Sequence, residues 1–216
     1  MQTSSFFKFV IAVITASQLS SCAVVAVGGV TTTAFVLTDR RTPGVQAIDK
    51  GIEWEANSAL SKRFGDNAHI TVTSFNQKAL LTGEVKDADI KGEAGAYVKA
   101  MKNVRSVFNE LRIGPNSSYT SRANDAYLES KIKTQMIFTE KLPSNSMAIV
   151  AEGSSVYLLG ILTQDEADLA KKITSNTNGV KDVYVYFDII SDAEKTRLEK
   201  EGKATQSQSD SPPKYQ

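Results

Sequence analysis

The sequence contains very few of the residues on which most catalytic and metal sites depend. It has one cysteine, Cys22, and one histidine, His69, in 216 residues. A single cysteine cannot form a disulfide within the chain, and no Cys/His cluster offers zinc or iron ligands. A Ser-His-acid triad would depend on His69 alone, and a lone histidine at the start of a predicted strand is typical of a structural residue. These absences argue against catalysis and predict no metal and no cofactor.

The charge balance excludes a second class of function. The chain has 25 lysine and arginine residues against 24 aspartate and glutamate residues. It therefore has no excess of positive charge to attract nucleic acid, and it contains no RNA- or DNA-binding motif. We expect no nucleic-acid partner. Scattered carboxylates such as Asp87, Asp165 and Glu166 are typical of helix caps and solvated helix faces, and Thr163 followed by Glu166 has the spacing of a capping box.

A short apolar segment opens the chain and ends in Leu19-Ser20-Ser21-Cys22. A small-residue cleavage site after a short apolar region is how a secretory signal ends. These four residues resemble the lipobox of bacterial lipoproteins, in which the peptide is cut before the cysteine. The resemblance implies that residues 1–21 are a signal peptide and that Cys22 is acylated. Ala23 stands where aspartate commonly marks inner-membrane retention, which by analogy implies the outer membrane, facing the periplasm.

Two other interpretations of this segment remain open. No residue from 9 to 38 is charged, and about 20 mostly apolar residues suffice to span a bilayer. The segment could thus be an uncleaved transmembrane helix, although its strongly apolar run covers only residues 6–16. Alternatively, Cys22 could be a small buried hydrophobic residue.

The rest of the chain repeats itself at a spacing of about 76 residues. Residues 79–85 match residues 156–162, and residues 103–107 match residues 179–183. Helical and alternating patterns predict the order α-β-β-α-β in each copy. The strand–helix–strand link is long enough for a parallel crossover. The fold class is therefore α+β, with two tandem αββαβ domains, each a three-stranded mixed sheet with two helices on one face.

The predicted elements and boundaries follow from this repeat. The first helix covers about 52–63 and again 125–137, and the second covers about 88–101 and 164–176. Glycine interrupts the second strand at Gly83 and Gly160, where we expect close approach of another backbone or helix. The predicted segments are a lipidated tether (22–48), a first domain (49–114), a linker (115–123), a second domain (124–190) and a tail (191–216) that is helical and then, over its last dozen residues, disordered.

The hydrophobic strand with Gly83 or Gly160, and the Gly179-Val180 approach to the last strand, resemble the BON domain. Two such copies behind a lipobox resemble the dual-BON-domain outer-membrane lipoproteins. This resemblance implies no enzymatic activity, association with phospholipid membranes and a role in keeping the outer envelope intact. The first copy departs from the pattern because Asn103 stands where the second copy has Gly179.

The first helix of the second copy is the predicted binding surface. Leu128, Ile132 and Met136 have the spacing of a core-facing row. The neighbouring stripe combines aromatic rings, which suit a membrane interface, with lysines, which contribute about 1 kcal/mol each near an anionic surface. We predict that this stripe contacts anionic phospholipid headgroups. Its members are Tyr127, Ser130, Lys131, Lys133, Thr134 and Phe138.

Two alternatives compete with this interpretation. Tyr127 could pack between the two copies, with the lysines forming an ordinary solvated face. The first copy lacks the stripe, since Gly51, Glu55 and Ser58 occupy the matching positions, so the copies could divide their tasks. In the rival function, the paired domains act as a scaffold that holds outer-membrane assembly proteins.

Overall fold

The computed structural model describes residues 39–209, with side chains described for residues 39–201. The predicted signal peptide, Cys22, most of the predicted tether and residues 210–216 lie outside the described residues. The first copy of the repeat consists of α1 (Pro43–Phe64), β1 (Ala68–Phe75), β2 (Lys78–Val85), α2 (Ala88–Ala100), β3 (Ser106–Asn109) and β4 (Arg112–Ile113). The second consists of α3 (Tyr119–Ile137), β5 (Met147–Glu152), β6 (Ser155–Leu162), α4 (Gln164–Ser175) and β7 (Asp182–Ile189), and α5 (Asp192–Ser209) follows.

The first helix of each copy begins earlier than predicted. The Thr42 hydroxyl accepts a hydrogen bond from Val45 N–H at 3.3 Å, and Pro43 is the first helical residue. This arrangement caps α1 inside the segment predicted as the tether. Ser118 caps α3 in the same way. The end of the predicted tether and the second half of the predicted linker are therefore helical.

Each copy forms the predicted mixed sheet. In the first, β1 pairs antiparallel with β2, and β2 pairs parallel with β3 and β4. In the second, β5, β6 and β7 repeat this order. The last strand of the first copy, expected as a single strand of a three-stranded sheet, is interrupted at Glu110 and Leu111, although its register with β2 is the same on both sides. The capping box at Thr163 and Glu166 is present.

A buried aspartate holds the hairpin between the first two strands in both copies. Asp49 of α1 accepts hydrogen bonds from the backbone N–H groups of Asn76 and Gln77, at 2.8 and 2.7 Å. In the second copy, Asp125 of α3 accepts from Gly153 and Ser154 N–H, each at 2.9 Å. The two aspartates occupy corresponding positions of the repeat, so the same contact fixes each first helix to its sheet.

Three apolar clusters show how the elements are layered. One lies between α1, α2 and one face of the first sheet, and the second lies between α3, α4 and one face of the second sheet. The third joins the opposite faces of the two sheets, through Phe75, Leu80, Val150, Tyr157, Leu159 and Ile161. The sheets therefore pack against each other, and the helices of the two copies lie on opposite outer faces.

The tail is helical further along than predicted, because α5 extends to Ser209 and so includes part of the segment that was expected to be disordered. Its first turns have specific contacts: Lys195 pairs with Glu166 at 2.8 Å, and Leu198 packs against the cluster between the sheets. Arg197 also pairs along the helix with Glu194 and Glu201, at spacings that support helical structure. Within residues 39–209, no helix is long and apolar enough to cross a membrane.

Candidate functional site

The two sides of α3 differ as the sequence predicted. Leu128, Ile132 and Met136 are buried in the core of the second copy. On the other side, Tyr127 is 68% exposed, and Phe138, the C-cap residue directly after α3, is 83% exposed. The exposure of Tyr127 argues against the alternative in which it packs between the copies. Large aromatic side chains that remain in water are candidates for contact with a membrane or a partner.

Ser130 and Thr134 lie between these aromatic residues, and their hydroxyl groups bond within the helix. Ser130 Oγ donates to the carbonyl oxygen of Ala126 at 2.9 Å, and Thr134 Oγ1 donates to that of Ser130 at 2.8 Å. A hydroxyl has a single proton to donate. While these bonds persist, neither side chain can donate to a phosphate, so both contribute a polar surface rather than an anion-binding group.

The two lysines of the predicted stripe lie at its flanks and are half-buried. Lys131 Nζ donates to the carbonyl oxygen of Asn178 at 3.1 Å, and Lys133 Nζ donates to that of Ser144. Burial lowers the pKa of Lys133, and the negative charge of Asp39 partly offsets this. Each ammonium group keeps other protons that it can donate to an anion. Because both lysines lie at the flanks, the exposed face is mainly aromatic and hydroxylic, with positive charge at its margins.

The glycines singled out in the sequence lie at close approaches or unusual dihedrals. Gly83 has φ of 111°, and a Cβ there would overlap the carbonyl oxygen of His69. At Gly160 a Cβ would lie 2.9 Å from the carbonyl oxygen of Ser146. Gly179 has φ of 107°, and its counterpart Asn103 has φ of 70°. Asparagine tolerates positive φ better than most residues, which explains the departure of the first copy from the pattern.

Sequence reasoning missed a cluster of charged groups between the two copies. Glu84 of β2 and Glu152 of β5 are 5% and 7% exposed. Arg112 Nη2 lies 2.5 Å from Glu84 Oε1 and 3.3 Å from Glu152 Oε1, so both carboxylates accept from one nitrogen. Glu84 Oε2 also accepts from Ser117 N–H at 3.0 Å. His69 Nδ1 lies 3.8 Å from Glu84 Oε2, and burial lowers the pKa of His69.

A second buried ion pair ties the segment before α1 to the second copy. Arg40 is 4% exposed, and its guanidinium donates to both carboxylate oxygens of Glu166, at 2.6 and 2.9 Å. The same group donates to Glu199 of α5 and to the carbonyl oxygen of Ile161. No group of three His, Cys, Asp or Glu side chains within the described part of the chain is arranged to hold a metal ion.

Comparison with known proteins identifies the class to which this arrangement belongs. The BON domain family matches residues 49–115 and again residues 124–190. The chain therefore belongs to the BON-domain family. BON-domain lipoproteins of this type are a non-enzymatic family, which confirms the prediction that the chain is not an enzyme.

Two individual proteins and one solved structure are similar to this chain. The chain is 32% identical over 171 residues to the outer membrane lipoprotein DolP of Haemophilus influenzae, covering 78% of this chain and 89% of that protein. It is 26% identical over 147 residues to a 21 kDa hemolysin of Actinobacillus pleuropneumoniae, covering 67% and 76%. A solved structure of CdsD, a structural protein of the Chlamydia trachomatis type III secretion system, is a distant match: TM-score 0.29, 11% identity, covering 68% of this chain and 96% of that one.

Proposed function

We propose that this protein is a periplasm-facing outer-membrane lipoprotein, acylated at Cys22, that binds anionic phospholipid through α3 of its second BON domain and helps to keep the outer membrane intact. Similarity to the outer membrane lipoprotein DolP supports the location, and the residues from Leu19 to Cys22 support the anchor. One observation carries the lipid-binding proposal. Tyr127 of α3 and Phe138, the residue directly after α3, are large aromatic residues that remain exposed.

Burial of these two rings in a bilayer interface would recover hydrophobic free energy that the isolated protein leaves unused. If about 60 Å² of each ring leaves water, about 25 cal/mol per Å² gives roughly 1.5 kcal/mol for each ring. That corresponds to about tenfold in affinity. Lys131 and Lys133 at the margins would add a preference for anionic headgroups.

The layered fold allows only one copy at a time to present its first helix to a flat bilayer, because α1 and α3 lie on opposite outer faces. On α1, Trp54 is 77% exposed and occupies the position that corresponds to Ser130 in the repeat. Trp54 is therefore a matched control: it is an exposed aromatic residue on the equivalent helix, but it faces away from a bilayer that contacts α3.

Vesicle binding tests this proposal. In protein that carries Cys22→Ser, and so lacks the acyl chain, Tyr127→Ala and Phe138→Ala are each expected to weaken binding to phosphatidylglycerol vesicles about tenfold. Lys131→Ala should have a smaller effect, since its ammonium group already donates to a carbonyl oxygen. Co-sedimentation over a range of lipid concentrations measures the change. Trp54→Ala should bind like the unsubstituted protein. Equal binding by all variants would contradict the proposal.

A scaffold for outer-membrane assembly proteins is the second candidate function, and Trp54 favours it. Exposed tryptophan is among the residues most enriched at the centres of protein–protein interfaces. While α3 contacts lipid, α1 would face the periplasm, where a protein partner could reach it. A photoreactive side chain at position 54 is expected to form a discrete protein adduct in intact envelopes, and the same probe at position 127 should label lipid instead. Failure to obtain a protein adduct at position 54 would argue against the scaffold.

A further inference from the structure

We propose that Glu84, Glu152 and Arg112 form a proton-dependent clamp between the two BON domains, closed when the carboxylates share a proton and loosened when that proton leaves. One guanidinium group can neutralise one carboxylate. The second carboxylate is buried beside the first, and two like charges in one buried site cannot both ionise without cost. A shared proton removes the repulsion and adds a hydrogen bond between the domains. This inference does not depend on lipid binding.

The neighbouring groups leave the site with an excess of negative charge. Asp125 of α3 is a third nearby carboxylate. Burial first and then the positive charge of Arg122 lower the pKa of His69, which favours its neutral form. Burial raises the pKa of Tyr157 on β6 to about 12, so this residue is neutral as well. The titratable groups around Glu84, Glu152 and Arg112 are Asp125, His69 and Tyr157, with Arg122 acting on His69 and Glu110 acting on Tyr157.

The electrostatics assign the proton to Glu152. Burial, followed by the negative charges of Glu84 and Asp125, raises the pKa of Glu152 to about 7. Burial alone would raise the pKa of Glu84 as well, but hydrogen bonds from Ser117 and Arg112 outweigh this effect and lower the pKa of Glu84. The folded-state pKa of Glu152 lies above its unfolded value of about 4.3. The stability that protonated Glu152 contributes is therefore fully present below about pH 4.3 and is lost as the pH rises through about 7.

The contacts around the clamp identify the segments that should respond. The guanidinium of Arg112 lies directly against Gly153, where a Cβ would overlap it, so a first-domain side chain covers the hairpin of the second domain. Ser117, whose N–H donates to Glu84, immediately precedes the Ser118 cap of α3. Loss of the proton should therefore alter the start of α3 and the hairpin at Gly153 while leaving the apolar cluster between the sheets in place.

An NMR titration of the full-length protein in nonionic detergent micelles, from pH 5 to pH 9, tests the clamp. We expect the Glu152 carboxyl carbon and the amides of Ser117 and Gly153 to titrate together with a midpoint near 7. Glu152→Gln should abolish the transition of both amides. The imidazole protons of His69 report its own titration separately. Glu129→Gln is the matched control: Glu129 is a partly buried carboxylate that accepts from Ala151 N–H at 2.7 Å within the second domain.

A second variant keeps the test decisive if Glu152→Gln does not fold. Glu84→Gln removes the partner charge and frees Arg112 for Glu152, so the midpoint for Glu152 should fall by one pH unit or more. Glu129→Gln should leave the midpoint near 7. The clamp is refuted if the Glu152 carboxyl titrates near pH 4.5, if the two amides still titrate in Glu152→Gln, or if Glu84→Gln leaves the midpoint unchanged.

Discussion

Replacing Arg40 by alanine is expected to lower the free energy of unfolding by about 3–5 kcal/mol at pH 7, the range for breaking a buried ion pair by removing one partner. The side chains of Arg40 and Glu166 are 1% and 5% exposed. Without Arg40, Glu166 keeps Lys195 and the Thr163 N–H but loses its bidentate partner. Glu199 and the carbonyl oxygen of Ile161 lose a donor at the same time.

The pH dependence of this variant has a definite sign. Burial raises the pKa of Glu166, but hydrogen bonds from Arg40, Lys195 and Thr163 outweigh it and lower the pKa to about 2. A lowered pKa contributes stability that is present above the unfolded value of about 4.3 and is lost as the pH falls through about 2. The difference between the Arg40→Ala protein and the unsubstituted protein should therefore be largest near neutral pH and should shrink between pH 4.3 and pH 2.

Urea denaturation at pH 7 and at pH 3 measures this effect. Arg41→Ala is the control, because Arg41 also binds a buried carboxylate, Asp49, at 2.9 Å. Asp49 would retain its hydrogen bonds from the Ser74 hydroxyl and from Asn76 and Gln77 N–H, so we expect a smaller loss. An Arg40→Ala protein no less stable than the Arg41→Ala protein would show that the segment before α1 is not fixed to the second domain through Glu166.

The repeat explains why the fold could be predicted from sequence. Hydrophobic spacing in Ile52, Ala56 and Leu60 recurs in Leu128, Ile132 and Met136, and all six residues are buried. Such periodic patterns depend only on which side of an element faces the core. The start of α1 was placed too late because residues up to 48 were assigned to the tether, although Thr42 before Pro43 is a helix-start signal.

The contacts between the domains could not be predicted in the same way. Arg40 and Glu166 lie far apart in sequence, and each side chain alone resembles an ordinary solvated charge. The sequence does contain one signal of the packing between the two sheets, which our prediction did not use. In β2 and β6, Leu80 and Leu159 are apolar on the strand face opposite the helices, and strands apolar on both faces indicate a sheet covered on both sides. That pattern predicts the packing of the two sheets, though not the ion pairs around them.

Gly83→Ala is expected to be the most damaging of the single glycine substitutions, at about 4 kcal/mol or more. Two separate costs coincide there. A φ of 111° is unfavourable for alanine, and the added Cβ would overlap the His69 carbonyl oxygen. Ile70 pairs with Gly83 across the β1–β2 ladder, so relief of the overlap requires this antiparallel pair to open. Losses of this size are exceptional for one substitution.

The other two structural glycines separate the costs that coincide at Gly83. At Gly179 the nearest side-chain atom to an added Cβ is Leu128 Cδ1 at 3.6 Å, so only backbone strain applies, and we expect a loss of about 1–2 kcal/mol. Gly179→Asn should cost less, because Asn103 already occupies the corresponding position with positive φ.

At Gly160 an added Cβ meets Ser146 O and the flexible Met147 side chain, both at 2.9 Å, so crowding costs about 1–3 kcal/mol. Thermal and urea denaturation of the four variants should rank Gly83→Ala as the least stable; equal losses at Gly83 and Gly179 would show that β1 yields to the added methyl group without opening the ladder.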